Sequence, residues 1–154
     1  MSKKIAIIGL GNTLRRDDGI GIVVLKSLLN FHKKKGVDYL NFGIASFDLL
    51  HRMKDYDAVL LIDGIDARLQ PGEFKIFKLD DIEYNSDDFN PSPHEVNLKN
   101  IFDLYKKLNL KTKIYVAGIQ VEDISYAEGL TDMVENNKET IIKEINSFVE
   151  STLF

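Results

Sequence analysis

The chain contains no cysteine among its 154 residues. This excludes disulfides, thiolate zinc sites, iron–sulfur ligation and cysteine nucleophiles together. It also fits a reducing compartment. Long apolar runs are missing too: none approaches the ~18 residues that a membrane span requires. The apolar stretch from Ile5 to Gly11 is too short for a secretory signal, and Arg15-Arg16-Asp17-Asp18 follows it at once. The expectation is a soluble, cytoplasmic protein. A basic excess is lacking as well, since 20 Lys and Arg face 24 Asp and Glu for a net charge of −4. No basic stripe of the kind that tracks nucleic acid is present. Lys33-Lys34-Lys35, the one basic cluster, reads as a solvated helix end favoured by the helix dipole. No repeat, low-complexity tract or linker interrupts the chain, so residues 1–154 are read as one domain.

Short apolar runs alternate with helical patterns. Ile5-Ala6-Ile7-Ile8-Gly9-Leu10 is a continuous β-branched run, expected of a strand buried on both faces. Asp17 or Asp18 is placed to cap a helix whose apolar stripe runs through Ile20, Val23, Val24, Leu28 and Phe31. Val37 to Phe42 reads as a second strand, and Ser46 opens a short helix with Phe47, Leu50 and Met53 on its apolar side. Ala58-Val59-Leu60-Leu61-Ile62 has the look of a central strand, closed by Asp63-Gly64. After the Gln70-Pro71-Gly72 turn, Glu73 to Lys78 alternates like a half-exposed edge strand. A polar loop from Asp80 to Asn90 precedes a helix that turns Val96, Leu98, Ile101, Phe102 and Tyr105 inward. Lys113 to Gly118 is the last strand and Asp132 to Phe148 the closing helix.

Such alternation predicts an α/β fold: a three-layer α/β/α sandwich, with a mostly parallel twisted sheet of about five strands and helices on both faces. Folds of this kind bind ligands at the carboxyl ends of strands, near a switch in strand order. Three polar positions are expected there: Asp17 or Asp18 after the first strand, Asp63 closing the third, and His94 just before a helix.

Gly9-Leu10-Gly11-Asn12 invites a dinucleotide reading, yet Leu14 stands where the third glycine belongs, and two carboxylates follow where a phosphate would sit. Peptidyl-tRNA hydrolases share Gly-Leu-Gly-Asn but continue differently. No helical His-Glu zinc site and no Gly-x-Ser-x-Gly elbow is found. His32 and His51 have ordinary explanations, at a helix C-terminus and on a polar helix side. Asp18, Asp63 and His94 remain. Their oxygens and nitrogen suit a divalent transition ion such as nickel, zinc or manganese, and they could equally run acid–base hydrolysis without a metal. Of the two adjacent acids only one should face the site, because neighbouring residues at a helix start point about 100° apart.

The segment from Ile7 to Gly21, with Gly9-Leu10-Gly11-Asn12-Thr13-Leu14-Arg15-Arg16-Asp17-Asp18, resembles the opening of the hydrogenase maturation protease family. Leu60-Leu61-Ile62-Asp63, Ser92-Pro93-His94-Glu95-Val96 and Glu128-Gly129-Leu130-Thr131 resemble three further family segments, in the family's order. The resemblance implies an endopeptidase that trims the C-terminus of a nickel–iron hydrogenase large-subunit precursor. It also implies that Asp18, Asp63 and His94 are the catalytic and metal-binding residues, meeting a nickel that the substrate supplies and that other divalent ions can replace. Many members carry Asp-Gly-Gly-Thr in a loop implicated in substrate choice, where this chain has Asn41-Phe42-Gly43-Ile44. A monomer without nucleic-acid or membrane partners is expected. Two other function classes stand beside this one: a nickel-sensing chaperone that binds the precursor without cutting it, and a nucleotide-dependent enzyme.

Overall fold

The computed structural model describes residues 2–81 and 98–154. Its elements in order are β1 (Ile5–Leu10), α1 (Ile20–Phe31), β2 (Val37–Gly43), α2 (Phe47–Met53), β3 (Ala58–Ile65), β4 (Phe74–Lys78), α3 (Leu98–Lys107), β5 (Lys113–Gln120) and α4 (Asp132–Phe148). The five strands form one sheet in the order β2-β1-β3-β5-β4. All pairs are parallel except β4 with β5, so the expected mostly parallel sheet is found, with β3 at its centre and β4 on its edge.

Side-chain alternation divides the core in two. Ile5, Ile7, Leu60 and Ile62 point to one face and pack with Ile20, Val24 and Leu28 of α1 and Ile141, Ile142 and Ile145 of α4. Ala6, Ile8, Val59 and Leu61 point to the other and meet Leu49, Leu50 and Met53 of α2 and Leu98, Ile101, Phe102 and Tyr105 of α3. Two layers of helix therefore enclose the sheet, the three-layer α/β/α arrangement read from the sequence.

Three local expectations are corrected. Phe31 is exposed, so the apolar stripe of α1 stops at Leu28. Phe47 is exposed as well, and Leu49 takes the inward place beside Leu50 and Met53. Neither Asp17 nor Asp18 caps α1. Both lie on a 3-10 turn, Arg16–Gly19, and Gly19 occupies the cap position without a side-chain bond. Val96 lies outside the described residues.

Candidate active site

Strand order reverses around β1: the chain moves from β1 to β2 on one side and then returns to β3 on the other. A crevice opens at the carboxyl ends of two such strands, because their connections depart in opposite directions. The β1–β3 ladder stops at Gly9 opposite Ile62, but β3 runs on against β5 for three more residues, Asp63, Gly64 and Ile65. Asp63 thus does not close the strand, as the Asp-Gly pair led us to expect. It stands within the strand, fully buried, just beyond the last residue that β1 can pair. Alternation with Val59 and Leu61 directs it to the face covered by α2 and α3.

Asp18 approaches from the β1 side. The turn carrying it rests on the end of β3, where a Cβ added to Gly64 would lie 3.2 Å from the carbonyl oxygen of Asp17. Gly21, at the start of α1, makes the same approach possible: any side chain there would collide with the carbonyls of Leu10 and Ile62. Asp18 is almost wholly buried, and its Oδ2 accepts the backbone N–H of Asn12 at 3.0 Å. Two buried carboxylates therefore lie near the carboxyl ends of β1 and β3, Asp18 on the turn that follows β1 and Asp63 within β3. Among the described residues no cluster of three acids and histidines is formed. His94 lies outside the described residues; the helix that follows it in sequence, α3, packs on the face to which Asp63 is directed.

Asp17 turns the other way and has a different task. Its Oδ1 accepts the N–H of Thr131 at 2.8 Å. Its Oδ2 accepts the N–H of Glu122 at 2.8 Å, the N–H of Asp123 at 3.2 Å and the hydroxyl of Thr131 at 2.7 Å. One fully buried carboxylate thus fastens the β5–α4 connection to the turn that holds Asp18. The backbone adds to this seam: Asp17 N–H donates to Asp123, Arg16 N–H to Ala127, and Ala127 N–H to Leu14. Asp123 itself accepts the N–H of Ser125 at 2.8 Å and lies 3.6 Å from the Arg16 guanidinium. The bonds from Ser125, and then the Arg16 charge, hold its carboxyl below the usual range.

Asp17→Asn is accordingly expected to destabilise the fold by about 2–4 kcal/mol, since an amide offers one acceptor and turns its NH2 toward groups that are themselves donors. Thr131→Val removes the hydroxyl bond alone and should cost about 1–2 kcal/mol. Urea unfolding midpoints of the two variants check this, and an Asp17→Asn protein as stable as the parent would contradict it. No local sequence signal betrays this role, because the donors lie more than 100 residues away.

Gln120 closes the far end of β5. Its Oε1 accepts the N–H of Ala67 at 2.8 Å and of Leu69 at 3.2 Å, which shapes the loop leaving β3.

The sequence model of the hydrogenase maturation protease family matches residues 22–148. The chain belongs to that family. Across species it is 27% identical over 154 residues to a Methanocaldococcus jannaschii protein named as a candidate hydrogenase maturation protease, covering 98% of this chain and 95% of that one. It is 24% identical over 145 residues to the hydrogenase 2 maturation protease of Escherichia coli, covering 92% and 88%. Among solved structures it resembles the hydrogenase maturating endopeptidase HybD of Escherichia coli, with a TM-score of 0.78 at 24% identity over 97% of this chain and 94% of that one. The hydrogenase maturation protease HycI of Thermococcus kodakarensis superposes with a TM-score of 0.75 at 23% identity, covering 97% and 94%. At these identities the structural likeness speaks to the fold. Family membership makes the chain a hydrolase, an endopeptidase of the hydrogenase maturation class. No helix among the described residues is long and apolar enough to cross a membrane.

Proposed function

We propose that this protein removes a C-terminal extension from the large-subunit precursor of a nickel–iron hydrogenase once nickel has been inserted, and that it does so in the cytoplasm. Asp18, Asp63 and His94 meet the nickel carried by that substrate. The observation that supports the reading is the pair of buried carboxylates at the β1/β3 switch, Asp18 on the turn after β1 and Asp63 within β3. Hard oxygen donors of this kind suit a divalent ion, and burial strengthens their pull on it. Two carboxylates and one imidazole leave coordination open, which fits an ion presented by a partner better than one held in a closed structural site.

The reaction is hydrolysis of one peptide bond. With no cysteine and no Gly-x-Ser-x-Gly elbow in the chain, water attacks the scissile carbonyl directly and no acyl-enzyme forms. A carboxylate takes the proton that water gives up, and the departing amine receives it. The substrate's nickel docks the precursor against the acids and offers a positive charge near the carbonyl.

Incubation with nickel-loaded precursor tests the reading. A mobility shift on a denaturing gel, with loss of the tail by mass spectrometry, is expected. A stable complex with intact precursor would instead assign the protein to non-cleaving chaperones.

A further inference from the structure

Arg15 and Arg16 are adjacent, and their circumstances are the reverse of what solvation favours. Arg16 is partly exposed and paired with Asp123 at 3.6 Å, while its Nε donates to the Gly129 carbonyl at 3.4 Å. Arg15 is buried, with 7% of its surface exposed. Among the described residues it makes no ion pair, and its Nε has no hydrogen-bond acceptor. Buried charges are ordinarily paired, because desolvation is otherwise uncompensated. Among the described residues its guanidinium meets the ring of Tyr126, whose centroid lies 5.3 Å from the guanidinium carbon. A π face attracts the cation but accepts none of the in-plane N–H bonds.

The position of this group is as telling as its state. Arg15 lies in the loop that carries Asp18, and its carbonyl accepts the Asp18 N–H at 3.0 Å. Its backbone is bridged to Ala127, next to Tyr126, so the seam fastened by Asp17 holds the two backbone segments side by side. Tyr126 is 79% exposed, so the ring can swing aside without opening a hole in the core.

We propose that Arg15, roofed by Tyr126, is a carboxylate-binding subsite beside the acid pair, which takes a carboxylate of the polypeptide being processed. The inference rests on the peptidase reading for the identity of the anion, since the anionic groups of an unmodified polypeptide are carboxylates. The chemistry follows from the Nε–H, which has no acceptor among the described residues. The Nε–H and a neighbouring Nη–H lie parallel and spaced for the two oxygens of one carboxylate, a match that lysine cannot make. Asp18 and Asp63 repel a second carboxylate in their crevice, so a cation in the same loop gives the substrate's own negative charge a place and sets the direction in which the chain lies.

The test follows the Arg15 Nε–H by 15N–1H correlation spectroscopy in the full chain, with Arg15→Lys identifying the resonance by its loss. Sodium acetate should move it downfield in a saturable way, and sodium chloride at equal ionic strength should not. Two peptides separate the sources: acetyl-Gly-Gly with a free C-terminus, and acetyl-Gly-Asp-Gly amide with only a side-chain carboxylate. A shift with either supports the subsite and names its source. No saturable shift with any of the three carboxylates overturns it, as does an Nε–H already downfield and protected from exchange in the free protein. With nickel-loaded precursor, Arg15→Gln and Arg15→Lys should each raise KM roughly tenfold while kcat stays within about twofold, the pattern of lost binding. An unchanged KM in both variants overturns the assignment. The titration needs no cleavage, so it decides the subsite even where the precursor assay yields no product.

Discussion

Asp63→Asn protein is expected to keep its fold and to leave the precursor uncut. Asn has the shape of Asp, so packing around this fully buried position is preserved. The change removes the negative charge that draws a divalent ion and the basic oxygen that takes a proton from water. Loss of a positioned base alone slows hydrolysis by about 10²–10⁴-fold, and loss of a metal contact acts in the same direction. Asp18→Asn should match it in activity, because an amide oxygen can still accept the Asn12 N–H while the charge is gone. His94→Ala is expected to lose activity to a similar degree. Thermal unfolding and the rate of tail release by mass spectrometry are the two readouts. An Asp63→Asn protein that cuts at the parental rate would remove Asp63 from the site. The contrast with Asp17→Asn is informative, since that neighbour should lose stability first: its carboxylate is occupied by the β5–α4 connection.

These opposite expectations for adjacent or similar acids show where sequence is sufficient and where it is not. The position of β3 at the centre of the sheet is legible because only a strand covered on both faces can be apolar at every residue from Ala58 to Ile62. The edge position of β4 is legible from its alternation. Asp63 stands out in the sequence as a candidate site residue but not as a strand residue: an Asp-Gly pair reads as a turn, and only pairing with Gly118 and Ile119 of β5 keeps the chain extended through it. Asp17 is the clearest failure of local reading. An acid before a helix reads as a cap, yet four donors from residues 122, 123 and 131 claim it, and tertiary bonds of that kind leave no mark on the neighbouring sequence. Arg15 escapes for a related reason. In Arg15-Arg16-Asp17-Asp18 the charges seem balanced, and only the fold separates a paired arginine from a buried one whose Nε has no acceptor among the described residues.

Precursor that lacks nickel is expected to be cut at least about a thousandfold more slowly than the loaded form bearing the same tail. The reason is the chemistry of the crevice. Asp18 and Asp63 are two buried carboxylates near one strand switch, and a peptide segment without a cation brings them only neutral N–H donors. Its carbonyl oxygens are partially negative and meet repulsion there. A nickel ion held by the precursor reverses the sign of the encounter, and each carboxylate that completes its shell adds a favourable bond in a site from which water is largely excluded. A thousandfold preference corresponds to about 4 kcal/mol at ~1.4 kcal/mol per tenfold, which two charged contacts in a low-dielectric crevice can supply. Proteolysis then acts as a checkpoint: the tail is released only from a subunit whose metal is in place. Matched precursor prepared with and without nickel, followed at its C-terminus by mass spectrometry, gives the ratio directly. Comparable cleavage of the empty form would mean that the tail sequence alone is recognised, and the metal-reading role of the two aspartates would have to be abandoned even if both proved essential to hydrolysis.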